Sequence, residues 1–366
     1  MHMRKEADIK MLNFHRLKEM HVLLECCIFH HAFGNQSRIS NVRRIVSSIT
    51  NFTPTSDGVM YVFDRDAKLL QRERAAQAPN AILFDYIKDE VGYRLSDRIF
   101  DIKKKFKKAL NLGCGRGHVS KHIAAESVEE LILTDTCSSL LHEAETTEGI
   151  KVTRMILDEE QFLWEEDSLD LVISSLNLHW VNNLPGCLEN IHKSLKNDGV
   201  FLAAMFGGET LYELRSSLQL AELERDGGIS AHISPFVEIR DIGALLNRAK
   251  FTMLTIDTDE MVVGYPSMFE LMWDLKGMAE NNATRNRKLR LNKNTLFAAS
   301  AIYKELYGKI KEDGTPFIPA TYQIIYLVGW KPDPSQPKAL ERGTGEISIK
   351  DLYRLDEIIK ETKKFE

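Results

Sequence analysis

Three glycines two residues apart, Gly113, Gly115 and Gly117, sit in Leu112-Gly113-Cys114-Gly115-Arg116-Gly117, directly after the short apolar run Ala109 to Leu112. Glycines so spaced after a strand let a ligand approach the backbone and meet its amides, because no Cβ stands in the way. Alone, such a loop is weak evidence. Asp135 strengthens it: it ends the next apolar run, about twenty residues on, where a carboxylate accepts from both hydroxyls of a ribose. Asp158 ends a third run and is placed to accept from an adenine amino group, with Phe162 as an apolar neighbour for the ring. A nucleotide-free sheet in which Asp135 merely caps a helix is the plain alternative.

These residues need a scaffold of alternating strands and helices, and the chain supplies one. Candidate strands are Ala109 to Leu112, Glu130 to Thr134, Val152 to Leu157, Leu169 to Ser174 and Val200 to Phe206, with Phe251 to Ile256 and Tyr322 to Trp330 completing seven. The pattern predicts an α/β fold with a mostly parallel sheet covered on both faces. Leu188, Ile191 and Leu195 mark a crossover helix, closed by Asn197-Asp198-Gly199 with Gly199 suited to a left-handed stop. The glycine loop itself is expected to open a helix.

Two helical insertions follow strands five and six, at 207–250 and 266–319. In the first, Thr210 and Glu213 have capping-box spacing, and Leu211, Leu214, Leu218 and Ala221 share one helix face before Asp226-Gly227-Gly228. In the second, Phe269, Met272 and Trp273 form a stripe suited to packing. The domain spans 58–332. Residues 333–366 form a tail marked by Pro334 and Pro337, with a short amphipathic stretch at Leu352, Leu355 and Ile358.

Composition bounds the partners. The chain has 366 residues, 43% hydrophobic and 28% charged, with a formal charge of -5, which exerts no general pull on nucleic acid or anionic lipid. Lys103-Lys104-Lys105-Phe106-Lys107-Lys108 reads as a solvated surface, not a nucleic-acid patch. No apolar run reaches the length of a membrane span, so any membrane attachment is peripheral. The 5 cysteines show no framework or zinc-knuckle spacing, which points to a reducing compartment. Residues 1–57 read as a leader: from Cys26 to Ser56 there is no acid, while Arg38, Arg43 and Arg44 stand among serines, the composition of a mitochondrial transit peptide. Glu6, Asp8 and Glu19 fit that reading better if translation starts at Met11 or Met20.

The glycine loop, Asp135 and Ser168 to Ser175 together resemble the class I S-adenosylmethionine-dependent methyltransferases, a Rossmann-like fold, more than the dehydrogenases. That resemblance places Asn177, His179 and Trp180 at the methionine end of the cofactor. His179 is then a candidate acid or base, though a structural hydrogen-bonder is the plainer role for a lone histidine. Tyr212, at the start of the inserted helix, is a second candidate.

A narrower resemblance covers Tyr61 to about Gly345. It rests on Phe63-Asp64-Arg65-Asp66, Leu110 to Gly117, Ser174 to Asn182, Met205 to Arg215, His232-Ile233-Ser234-Pro235-Phe236 and Ala320-Thr321-Tyr322-Gln323-Ile324. These segments are similar to the mitochondrial complex I assembly factors of methyltransferase fold described as arginine hydroxylases. The resemblance implies hydroxylation of an arginine on the iron-sulfur subunit beside the quinone site, during early assembly alongside other assembly factors. It implies a mitochondrial matrix location, peripheral to the inner membrane. It brings Glu209, Glu213 and Trp180 forward as an acidic and aromatic setting for a guanidinium.

Hydroxylation needs an oxidant and electrons that a sulfonium cofactor does not carry. None of the 11 histidines has Asp or Glu two residues on, and no C-x-x-x-C-x-x-C run occurs, so no metal ligands are assigned and the oxygen-activating group is left unknown. Two other readings stand beside the hydroxylase. One is a methyltransferase acting on an acyl-carrier-linked or small acid, which favours a basic pocket with Arg215 and Arg240 as candidates. The other is a non-catalytic assembly chaperone that takes only stability from its cofactor.

Overall fold

The computed structural model describes residues 60–337, so the leader and the amphipathic tail stretch lie outside the described residues. The centre is one mixed sheet. Strands β1 (Phe106–Leu112), β2 (Val128–Asp135), β3 (Lys151–Ile156), β4 (Leu169–Ser175) and β5 (Leu195–Phe206) are parallel, β6 (Thr252–Tyr265) follows, and β8 (Pro316–Trp330) runs antiparallel between β5 and β6. The order is β3-β2-β1-β4-β5-β8-β6, with a two-residue β7 (Lys309–Ile310) pairing β8 off the main path. This is the class I methyltransferase sheet that the sequence predicts.

Alternation along each strand splits the core between the two faces of the sheet. Ala109, Leu131, Leu133, Leu171, Ile173, Leu202 and Ala204 point to one side, where α2 (Tyr86–Asp101) lays Ile87, Val91, Leu95 and Ile99 against them. Their neighbours Leu110, Ile132, Val172, Phe201 and Ala203 point to the other, beneath α4 (Leu184–Ser194) and α6 (Ile239–Arg248). Since α6 packs directly on the sheet through Ile242 and Leu246, only the first half of the 207–250 segment is an addition to it.

Beyond Phe206, which pairs with Ile324, β6 and β8 continue as a two-stranded ribbon to Tyr265 and Ile318. The inserted helices α5 (Tyr212–Asp226), α7 (Met268–Gly277) and α8 (Lys293–Tyr307) join this end of the core through Leu214, Leu218, Met268, Leu271 and Ala299. Two further helices, α1 (Arg65–Ala76) and α3 (Ser138–Glu143), flank the C-terminal ends of β1 and β2.

Several local expectations change. The glycine loop does not open a full helix; only a single 3-10 turn forms at Ser120–His122. The segment is drawn instead to its neighbours, with His118 Nδ1 2.7 Å from Asp89 Oδ1 and Ser120 donating to the Glu145 carbonyl at 2.6 Å. The stop after α4 falls at Ser194, and the left-handed residue is Asp198 (φ 57°), not Gly199. Lys104 fixes it by donating to its carbonyl and carboxylate.

The capping box at α5 is absent too: Leu211 is the cap residue, left-handed at φ 56°. Thr210 and Glu213 are taken by β8. The Thr210 hydroxyl bonds the backbone of Gln323, and the buried Glu213 carboxylate accepts from the Thr321 amide and hydroxyl. The α7 stripe divides, with Met272 packed partly buried against the core as expected and its two aromatic members turned outward. Met268, Leu271 and Leu275 are buried, whereas Phe269 and Trp273 stand exposed, because this helix is apolar on both sides and its spacing alone does not choose the inner one.

Candidate functional site

The site is built where β1, β2 and β4 end. Gly113, Gly115 and Gly117 all adopt left-handed backbone angles, φ 72°, 55° and 86°, which any side chain strains to reach. At Gly113 space is equally decisive, since a Cβ would lie 1.9 Å from the Asn177 amide nitrogen. The turn carries the chain past the Asp135 carboxylate, whose Oδ2 accepts from the Gly115 amide at 2.9 Å and whose Oδ1 accepts from the Cys137 amide at 2.8 Å. Burial raises the Asp135 carboxyl above its ordinary range, with the nearby Arg72 charge working against the shift.

Gly113, Gly115 and Asp135 line one cavity with Asn177, Arg72, Lys88 and Glu280. Its volume, about 40 Å³, is enough for water and too little for a nucleoside. What fills the remainder is α1. Three of its cations, Arg65, Lys68 and Arg72, project inward at helical spacing. Arg72 donates to the side-chain oxygen Oδ1 of Asn177 and stands 3.8 Å from Asp135 Oδ1 and 3.9 Å from Glu159 Oε1. Arg65 donates to Asp158 at 2.7 Å and to Glu159 at 2.5 Å. Lys68 reaches furthest in, with its Nζ 3.3 Å from the centroid of the Trp180 ring and donating to the carbonyls of Ala279 and Asn281 at 2.9 and 3.0 Å. Burial lowers the Lys68 ammonium well below the usual lysine range.

Glu280, between those two carbonyls, is the other centre of charge. Its Oε2 accepts from Trp180 Nε1 at 3.1 Å and lies 3.5 Å from His179 Nε2, while its Oε1 is 3.9 Å from Lys88 Nζ. Burial works to raise this carboxyl, but the His179 hydrogen bond and the charges of Lys68 and Lys88 prevail and hold it at about 2. His179 moves oppositely: burial among Trp180, Phe206 and Phe236 lowers it, so its neutral form dominates at pH 7. Its Nδ1 has no hydrogen-bond partner among the described residues.

The candidate residues therefore divide. Gly113, Gly115 and Asp135 meet at the cavity; Gly117 closes the turn behind it, against the Glu145 backbone; and His179 lies one residue beyond the cavity wall, on Glu280. Asp158 does not face the cavity: it caps the 3-10 turn Glu159–Gln161 and pairs with Arg65. Phe162 is fully buried in the core under α4, stacked with Trp164 at 6.2 Å, because its apolar ring gains more from that packing than from an open edge.

Tyr212 lines a separate cavity of about 300 Å³ with Tyr307, Glu260 and Lys309, while Glu209 sits exposed in the 207–211 turn, its amide bonded to Gln323. Glu213 and Trp180 are already engaged, by Thr321 and Glu280. A basic pocket is not formed by the arginines suggested for an acid substrate, since Arg215 ties down the carbonyls of Gly208 and Thr210 and Arg240 is exposed beside Glu238.

Glu159, Glu280, Lys68 and Arg72 belong to no motif that the sequence marks as functional, and Arg65 enters only through the family resemblance. A signal existed for α1, whose basic residues recur at helical spacing without an apolar stripe. None existed for Glu280, which the chain brings in from the far end of α7.

Residues 81–256 match the family model described as Methyltransferase domain. The chain is 49% identical over 322 residues to the Rattus norvegicus protein named Arginine-hydroxylase NDUFAF5, mitochondrial, covering 88% of this chain and 92% of that one. Its Danio rerio counterpart is 50% identical over 299 residues, 82% of this chain and 92% of that one. A malonyl-[acyl-carrier protein] O-methyltransferase of Gallionella capsiferriformans is 28% identical over 283 residues, 75% of this chain and 93% of its own. Near-complete coverage at such identity, together with a methyltransferase sheet and its glycine loop, makes this chain a member of the mitochondrial arginine-hydroxylase NDUFAF5 family.

Proposed function

We propose that the protein hydroxylates an arginine of the iron-sulfur subunit beside the quinone site of complex I, as an assembly factor in the mitochondrial matrix, peripheral to the inner membrane. The observation that carries this reading is the 49% identity spanning 88% of the chain, which includes every element of the site. Among the described residues no helix is long and apolar enough to cross a membrane.

S-adenosylmethionine is the cofactor suggested by the fold, and the residues present suit it. Asp135 is placed for its ribose hydroxyls and the 113–117 turn for its amino-acid end, once Arg72 leaves Asp135. Bound there, it supplies a positively charged sulfonium and no oxidant. The chain's own residues hold the guanidinium and set charge through Glu280 and the neutral His179. Methyl transfer to an acid is the weaker alternative, because Arg215 and Arg240 do not converge on a cavity. Cofactor-stabilised chaperoning is the other.

Peptide mass spectrometry of the iron-sulfur subunit, from matched cells with and without this protein, tests the reading. One oxygen on an arginine that depends on the protein is the expected result. A methyl group instead would favour the methyltransferase, and association without modification would favour the chaperone.

A further inference from the structure

We infer that the pocket holding the Lys68 ammonium is the subsite for the substrate's guanidinium, and that α1 is its internal occupant. The inference rests on the hydroxylase reading and deepens it by assigning the arginine's binding groups.

The pocket has the parts that recognise an organic cation. The face of Trp180 forms one wall and the carbonyl oxygens of Ala279 and Asn281 form another, with the Glu280 carboxylate beside them, bonded to the edge of the same indole. Glu280 also lines the cavity shared with Gly113 and Asp135, so a side chain seated here reaches the cofactor end of the sheet. Lys68 uses only part of this equipment. Its ammonium donates to the two carbonyls, and the hydrogen bonds to the Glu280 carboxylate come from Trp180 and His179 instead. A guanidinium, flat and with five N–H donors, stacks on the indole, keeps the carbonyl contacts and adds a charge-assisted bond to Glu280. The pocket thereby favours arginine over lysine.

The occupant is removable because α1 is held by charge. Of its twelve residues only Lys68 and Ala76 are buried, and it is held further by the ion pairs of Arg65 and Arg72 and by hydrogen bonds from Arg65, Gln71 and Arg72 to the Trp180 and Asn282 carbonyls, Thr136 and Asn177. Arg72 stands on Asp135 while Lys68 fills the cage, so withdrawing one helix frees the cofactor and guanidinium positions together. Each ligand then lowers the cost of admitting the other, and their affinities are positively linked.

The experiment is hydrogen exchange of residues 65–76 in the full chain with S-adenosylmethionine, with Nα-acetylarginine methylamide, with its uncharged citrulline counterpart, and with cofactor and arginine compound together. Faster exchange in α1 with the arginine compound and not with citrulline is expected. Isothermal titration should show Glu280→Gln weakening the arginine compound about tenfold or more. Lys68→Met should tighten the arginine compound, even where it costs stability. Unchanged α1 exchange in the wild-type protein, or equal arginine and citrulline binding, overturns the subsite without requiring any variant to fold. Oxygenation of the iron-sulfur subunit is scored separately: oxygenation undiminished in Glu280→Gln removes the subsite and leaves the hydroxylase, whereas a functioning cage with no oxygenation by the wild-type protein removes the hydroxylase.

Discussion

Helices α1 and α2 neighbour each other in the chain and are held by different forces. Helix α2 buries Ile87, Val91, Leu95 and Ile99 against the sheet, an attachment that is apolar and indifferent to salt. Helix α1 buries a lysine and an alanine, and its other ties are ion pairs and hydrogen bonds to Asp158, Glu159, Asn177 and backbone carbonyls. A buried pair contributes little net stability when its desolvation is counted, although removing one partner is costly. The first helix is therefore built to be moved and the second to stay.

Cutting an apolar anchor gives the largest expected difference between them. Leu95→Ala removes a fully buried side chain from α2 and should cost about 3 to 5 kcal/mol in urea denaturation. Leu70→Ala in α1, where the side chain is 55% exposed, should change stability by less than about 0.5 kcal/mol. Similar losses at both positions would mean that α1 is anchored as α2 is.

Next in size is the effect on the site that α1 covers. Asp135→Ala removes the carboxylate that the ribose would use and should weaken S-adenosylmethionine by about 1.5 to 3 kcal/mol, roughly ten- to a hundredfold by titration calorimetry. Gly113→Ala should do at least as much, because its Cβ would strike Asn177 on a backbone already at φ 72°. Undiminished binding in both would place the cofactor elsewhere.

This division explains what was legible in the sequence. The strands and α2 announce themselves by apolar periodicity, and Asp135 by its distance from the glycine loop. Strand ends were less readable, since the β6–β8 ribbon runs past the sheet from Glu260 onward, where no strand pattern marks its start. Charged attachments leave no period. Arg65 finds Asp158 and Glu159, and Lys68 finds the 279–281 carbonyls, across long stretches of chain that spacing does not connect. Glu213 misled for a related reason: the spacing suits a helix cap, but the orphan amide and hydroxyl of Thr321 offered it a buried partner.

Another buried carboxylate separates charge that fastens from charge that gates. Glu222, fully buried in α5, accepts from Lys288 at 2.6 Å and from the Ser230 amide at 2.6 Å, linking the two inserted segments. Burial opposes ionisation here, yet the Lys288 and Ser230 hydrogen bonds hold the carboxyl at about 2. Its folded value lies below the unfolded one, so its stabilisation is present above about pH 4.5 and fades as pH falls toward 2. Glu222→Gln should cost about 1.5 to 3 kcal/mol at pH 7 and flatten the acid limb of the stability curve. A parallel acid limb in the variant would move that sensitivity to other carboxylates.

The smallest effect bears most directly on the difference between the helices. Raising salt from 0.1 to 1 M shortens the screening length from about 10 to 3 Å and weakens charge pairs at the partly exposed margin of α1, such as Arg65 with Asp158. A loss of about 0.5 kcal/mol in local opening energy is expected, read as roughly twofold faster hydrogen exchange across residues 65–76 with none across 86–101. Acid should act in the same direction through Glu280, whose folded value of about 2 lies below that of a free glutamate, so its hold on the Lys68 pocket is complete above about pH 4.5 and lost on approach to 2. If salt and acid loosen α2 as much as α1, the contrast between a charge-held and an apolar-held helix fails; if only α1 responds, the helix over the site opens without disturbing the sheet beneath it.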